Sequence, residues 1–227
     1  MQLLGSIDEK KAELKTILFR NSFKYSDTPE FKLAYKEELS KCYIDSKSTT
    51  LSPDGMLLVG EVFYHIIANL DSDIDGIGGL TFGSDPISIS TAVIANQNGM
   101  RLKAFSVRKE QKSHGTQKWI EGTVKPNDRV VIVDDVITTG SSTLKAIKKA
   151  REAELEVSKV RVLVDRQDFC DDSNKLTGKE RIENEAGVTV IPVFTITDLM
   201  ELLPSKKSLK DSPSPFTAKA QVVGASL

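Results

Sequence analysis

Residues 130–142, VVIVDDVITTGSS, set four branched apolar residues ahead of two carboxylates and a run of small, mostly hydroxyl-bearing residues. The apolar run Val130 to Val133 predicts a strand buried on both faces. Asp134 and Asp135 follow where the carboxyl end of that strand should emerge, the edge at which open α/β sheets bind ligands. Thr138, Thr139, Gly140, Ser141 and Ser142 then lead into a helix expected over 142–152. A helix N-terminus offers free N–H groups and a positive dipole end, which favour a phosphate. Gly140 lets backbone approach closely, and the hydroxyls add donors. Two carboxylates beside a phosphate would repel it, so they make sense as acceptors for sugar hydroxyls or as neighbours of a magnesium ion. The plain alternative is a buried strand closed by a capped turn. It accounts for the aspartates but not for the whole arrangement. Other phosphate motifs are excluded: GSSTLK lacks the lysine placement of a Walker loop, and GIGGLTFG carries Thr81 where a dinucleotide fingerprint needs its last glycine.

Working outward, the chain alternates between apolar runs and amphipathic stretches. Ser52 reads as a helix N-cap with Pro53 at the first helical position. Val59, Val62, Phe63, Ile66, Ile67 and Leu70 then repeat at helical spacing. A short strand is expected around 74–77, running into a glycine-rich turn, GIGGLTFG, and then a helix over 86–97 capped by Asp85. Further strands are expected at 102–107, 160–164 and 188–193, with helices at 179–185 and 197–203. Such alternation indicates a mainly parallel central sheet covered by helices on both faces. Leu4, Ile7, Leu14, Ile17 and Leu18 place another helix within the first 24 or so residues. Residues 26–41 show no assignable pattern, and the Ser-, Pro- and Lys-rich tail from 205 reads as loosely ordered.

Bulk properties narrow the class. A formal net charge of −1 over 227 residues gives no global attraction to nucleic acid or an anionic membrane. No apolar run is long enough to span a bilayer, and the start MQLLGSIDEKK is no signal peptide. Cys42 and Cys170 are far apart and not in metal-like spacing, which points to a reduced, cytoplasmic setting. With only His65 and His114 present, a zinc hydrolase is disfavoured. A serine hydrolase built on Ser141 or Ser142 with His114 is disfavoured, because neither serine lies in a G-x-S-x-G turn.

The strand–carboxylate–loop arrangement resembles the signature of type I phosphoribosyltransferases, which bind 5-phosphoribosyl-1-pyrophosphate (PRPP). The resemblance implies that fold, with a small N-terminal hood. It also implies that Asp134 and Asp135 contact ribose hydroxyls while Thr138, Thr139, Gly140, Ser141 and Ser142 hold the 5′-phosphate. A second segment, 108–122, RKEQKSHGTQKWIEG, gathers Arg108, Lys109, Lys112, His114 and Lys118 between two strands. Cations concentrated in a long loop suit a pyrophosphate, and a mobile lid could exclude water. The pattern R-K-x-x-K-x-H-G is similar to the catalytic loop of orotate phosphoribosyltransferases. By that resemblance Arg108, Lys109, Lys112 and His114 contact the pyrophosphate, from a loop reaching into the neighbouring subunit of a homodimer. Lys118 and Trp119 receive no role.

Three further segments resemble that family: 43–55, 78–88 and VDRQD at 164–168. They imply that Arg166 grips the orotate carboxylate, that Tyr43 and Ile44 lie along the pyrimidine, and that Thr138 also borders it. An ion pair of Arg166 with Asp165 or Asp168 is the ordinary alternative. Implied with them are orotate and PRPP as substrates and orotidine 5′-monophosphate as product. Mg2+ is expected to be held mainly by PRPP and water. A phosphoribosyltransferase for another base, or a non-catalytic nucleotide-sensing regulator, are the competing readings. Two departures stand out. The segment before Tyr43 lacks the family's glycine and is longer, leaving Lys32, Lys36 and Lys41 to compete for a lysine role, and Gly83 stands where some relatives have lysine. The expected organisation is a hood at 1–50, a core at 51–204 and a tail at 205–227.

Overall fold

The run beginning at Val130 is the first half of a nine-residue strand, Arg129–Ile137, which continues straight through both aspartates. A computed structural model of the chain describes residues 6–70, 73–110, 118–170 and 175–204. The N-terminal elements are α1 (Ile7–Asn21), β1 (Phe23–Tyr25), β2 (Phe31–Lys32), β3 (Leu39–Ser40), β4 (Cys42–Ile44) and α2 (Lys47–Thr50). Next come α3 (Pro53–Leu70), β5 (Gly76–Leu80), α4 (Asp85–Gln97), β6 (Lys103–Val107), β7 (Ile120–Gly122) and β8 (Arg129–Ile137). The chain continues through α5 (Ser141–Glu152), β9 (Glu156–Asp165), α6 (Gly178–Ala186), β10 (Val190–Thr195) and α7 (Ile196–Met200).

Six strands form one sheet in the order β10-β9-β8-β5-β6-β7, parallel except for β7, which runs antiparallel to β6 at the edge. Alternate residues of β8 feed two cores. Val131 and Val133 pack with α1, α3 and α4 through Leu14, Leu18, Val59 and Phe63. Val130 and Ile132 pack with α5 and α6 through Ile147 and Ile182. Burying each such side chain is worth about 1.5–3 kcal/mol, so both helix layers are held by the same strand. From β5 the chain crosses to β6 on one side and later returns to β8 on the other. The switch point, where ligands bind in such sheets, therefore lies at the carboxyl ends of β5 and β8.

Several expectations need correction. The glycine-rich stretch is not a turn: its first five residues are the fully buried β5 itself. A Cβ on Gly79 would stand 2.1 Å from the Val133 carbonyl oxygen, so the close approach of β8 admits no side chain there. Asp85 is inside α4 rather than its cap, which is Ser84. Its carboxylate instead accepts hydrogen bonds from Thr81 (2.5 Å) and Ser106 (2.8 Å). The last helix stops at Met200, because the N–H groups of Leu202 and Leu203 turn to carbonyls three residues back. The Ser52 and Pro53 start of α3 holds, with Ser52 Oγ accepting from the Gly55 N–H at 3.2 Å. The unassigned 26–41 stretch contains a minimal hairpin, β2 paired to β3, while β4 pairs with β1 in a second two-stranded sheet. Among the described residues no helix is long and apolar enough to cross a membrane.

Candidate active site

Where β8 ends, its pleat sends the two aspartates different ways. Asp134 is buried, accepting from Thr143 Oγ1 at 2.7 Å and from the Asp135 N–H at 3.1 Å. Burial first, and then the charge of Asp135, push its carboxyl up to about 7. It thereby ties the strand to the first turn of α5. Asp135 is less buried and accepts from Ser46 Oγ and, at 2.9 Å, from the Val136 N–H. Ser46 directly follows the hood strand β4 and Asp45, so the hood is joined to the β8 aspartates. Lys47 pairs with Asp45 at 2.8 Å. That bond, with Asp135 nearby, raises its ammonium above the usual range despite burial. A side chain at 83 would collide here, since a Cβ on Gly83 would lie 2.5 Å from Asp135 Oδ1. Any side chain at this position would have to displace that carboxylate.

The following loop is shaped by Gly140, whose φ of 76° is strained for any L side chain. A Cβ there would also meet the Gly178 carbonyl oxygen at 2.8 Å and Ile182 at 2.9 Å. No side chain caps α5, which begins at Ser141, one residue earlier than expected. Thr139 Oγ1 and Ser141 Oγ stand 3.0 Å apart. Across the loop, Arg181 of α6 donates to the Thr139 carbonyl (3.2 Å) and Ser141 Oγ (3.1 Å). A glycine turn, hydroxyls, an uncapped helix start and a guanidinium together make an anion cradle.

Arg166 begins one strand away, its N–H bonded to the Ile137 carbonyl at 3.1 Å, directly beside the loop. Its side chain is 3% exposed. Nε donates to Asp168 Oδ2 at 2.7 Å and to the Tyr35 hydroxyl at 3.1 Å. Among the described residues the terminal nitrogens reach only Cys42, at 3.5 Å to its carbonyl and 3.8 Å to Sγ. Tyr35 donates its hydroxyl to Asp168, and Lys36 Nζ lies 3.2 Å from the other Asp168 oxygen. Although burial opposes it, hydrogen bonds from Tyr35 and Arg166 hold the Asp168 carboxyl below its ordinary range. Burial, then the Asp168 bond, drives the Tyr35 phenol far above its usual range, so it stays a donor. Of the neighbouring pair Tyr43 and Ile44, Ile44 is in the core, whereas Tyr43 is 36% exposed and stacks on Phe31 at 6.1 Å. Successive residues of a strand point to opposite faces, which is why the two separate.

At the other edge, Arg108 pairs with Glu121 at 3.1 Å and its N–H bonds the Trp119 carbonyl at 2.9 Å. The Lys109 carbonyl accepts from Lys145, and Lys149 Nζ lies 4.0 Å over the Trp119 ring. Lys112 and His114 lie outside the described residues.

No protein-family model matches the chain. It is 39% identical over 194 residues to the orotate phosphoribosyltransferase of Aquifex aeolicus, spanning 86% of this chain and 98% of that one. The chain belongs to the orotate phosphoribosyltransferase family. The orotate phosphoribosyltransferase of Streptomyces coelicolor is 42% identical over 153 residues, 67% of this chain and 78% of its own. A crystal structure of Mycobacterium tuberculosis orotate phosphoribosyltransferase in complex with PRPP superposes with a TM-score of 0.63 at 28% identity, covering 86% of this chain and 93% of that one. Adenine phosphoribosyltransferase from Leishmania tarentolae shares the fold alone, with a TM-score of 0.55 at 18% identity.

Within this family member, sequence reasoning missed Tyr35, Ser46, Lys47 and Arg181, whereas the ion pair of Arg166 with Asp168, the ordinary alternative it named, is present at 2.7 Å. Tyr35 and Arg181 carry no local signal for the site: the loop groups that Arg181 bonds lie at least 40 residues away, its one local partner being Glu185 in an ordinary i,i+4 ion pair, and Tyr35 meets Arg166 and Asp168 from 131 and 133 residues away. Ser46 and Lys47 stood inside the segment singled out at 43–55, but nothing in the string distinguishes them from their neighbours.

Proposed function

We propose that the chain transfers the phosphoribosyl group of PRPP to orotate, giving orotidine 5′-monophosphate and pyrophosphate in de novo pyrimidine (UMP) synthesis. The observation that carries this is the adjacency of an anion cradle at 138–142 to a buried arginine whose terminal nitrogens have only long contacts. The loop suits the 5′-phosphate and Arg166 the orotate carboxylate, which a guanidinium can meet through two parallel hydrogen bonds. Between them Asp135 accepts from ribose hydroxyls and faces the positive charge of an oxocarbenium-like state, while the buried Asp134 holds β8 to α5 rather than meeting the ribose as expected. No covalent nucleophile is needed, and rate comes from positioning and charge complementarity.

Mg2+ fits this site as a hard cation with few protein ligands. Asp135 is the less buried of the two carboxylates at the end of β8 and so the one that could border the ion. PRPP and water would supply most ligands, with Asp135 bordering them. When bound, the ion offsets charge on the departing pyrophosphate.

Arg108, Lys109, Lys112 and His114 serve the pyrophosphate in this reading, delivered by the neighbouring subunit of a homodimer. A dimer has a suitable face: Leu51, Met56, Leu57, Phe82, Ile89 and Val93 are all at least 41% exposed and line one apolar groove. The protein works in the cytoplasm, with a hood at 1–50, a transferase core at 51–204 and a tail at 205–227. The hood is not independent, since Leu14 and Leu18 share a core with α3. Pyrophosphate release from PRPP and Mg2+, assayed across orotate, uracil, adenine and hypoxanthine, tests the reading. Release with orotate alone is expected, and release with a purine instead would refute it.

A further inference from the structure

Around Arg166 the charges do not balance. Arg166 and Lys36 converge on a single carboxylate, Asp168, leaving an excess of one positive charge in a half-buried cluster. One carboxylate on an incoming base would cancel it. Asp168 and Tyr35 both occupy the Nε edge of the guanidinium, which fixes the plane of the fork. The Nη1 and Nη2 edge keeps donors to spare, its contacts to Cys42 being at the long limit of hydrogen bonding.

The hairpin that delivers Tyr35 and Lys36 has only two residues in each strand. Such a ribbon has no independent stability, so its place is set by what its side chains grip. Those grips include the buried Leu33, the Phe31–Tyr43 stack, the Arg166 bond to Tyr35 and the two bonds to Asp168.

We propose that Asp168 and Tyr35 are positioning residues for base selection. Asp168 clamps the inner edge of Arg166, and Tyr35 seats the hairpin on that clamp, so the outer edge is presented to a substrate carboxylate. The proposal rests on the transferase reading. It adds that discrimination for a carboxylated pyrimidine depends on two residues that themselves touch Arg166 rather than the reacting atoms.

The test uses the full-length chain with PRPP and Mg2+, comparing wild type with Tyr35→Phe, Asp168→Asn and Asp168→Glu. Orotate is the substrate, and uracil, the same ring without the carboxylate, is measured as a competitive inhibitor. Tyr35→Phe should raise the KM for orotate about tenfold, the loss of one hydrogen bond to a charged group, with kcat and the KM for PRPP moved less than about twofold. Asp168→Asn should raise it further and Asp168→Glu should recover part of the loss. The inhibition constant of uracil should stay within about twofold throughout, since it never uses the clamp. A merely structural role would instead weaken orotate, uracil and PRPP together, and that result overturns the proposal. Wild type that uses orotate beside variants with unchanged orotate KM also overturns it, while leaving the transferase reading intact. Wild type inert toward orotate overturns both.

Discussion

The phosphate end of the site comes from one continuous stretch, β8 running into α5, whereas the base end is gathered from a hairpin, a hood strand and the segment after β9. At the phosphate end, backbone does the shaping: a left-handed glycine, an uncapped helix and a strand held by two cores. At the base end, side chains do it, through one arginine and the groups that fix its plane. The first should therefore respond to substitution as a matter of backbone conformation and stability. The second should respond as a matter of selectivity.

The largest effect is expected from Gly140→Ala. A Cβ in the left-handed region and against the Gly178 carbonyl should cost about 3 kcal/mol, roughly a hundredfold in the KM for PRPP. Steady-state kinetics should show the orotate-to-uracil preference unmoved. A shifted base preference with normal PRPP kinetics would erase the distinction between the two ends.

Asp134→Asn probes the strand's buried carboxyl. Its pKa is raised in the folded chain, to about 7 from an ordinary 3.8, so folding favours the protonated form. The contribution is complete below the unfolded value and is lost as pH rises through about 7, amounting to at most ~4 kcal/mol. Thermal melts without PRPP or Mg2+ should find wild type losing Tm from pH 5 to pH 8 relative to the asparagine variant. A constant difference across that range would deny that Asp134 is buried as described.

A smaller effect is expected from Arg181→Ala, which removes two bonds spanning the loop. The KM for PRPP should rise about tenfold with little change for orotate. An unaltered PRPP KM would remove Arg181 from the cradle.

The same contrast explains what the sequence disclosed. The β8 to α5 stretch was legible because its strand, carboxylates, glycine and helix start are contiguous in the chain, and its register was missed only by the length of the strand beyond Val133. The glycines of β5 misled because glycine usually marks a turn, and here it marks the close approach of a neighbouring strand 50 residues away. Arg166 was readable as a cation near the sheet edge. Tyr35 and Arg181 became meaningful only once the fold had joined them to the site, since nothing in 26–41 or α6 announces that partner. Lys112 and His114 remain readings of the string alone.

Orotate consumption, followed by its ultraviolet absorbance in wild type and Arg166→Ala, tests the central claim most directly. With PRPP and Mg2+ the wild type should consume orotate mole for mole with pyrophosphate release. Arg166→Ala should lose about a hundredfold or more in kcat/KM for orotate, through the broken carboxylate contact and the loss of one of the cations that pair with Asp168, with the KM for PRPP unchanged. Pyrophosphate release that needs a purine and ignores orotate, or full orotate turnover without Arg166, would contradict the account.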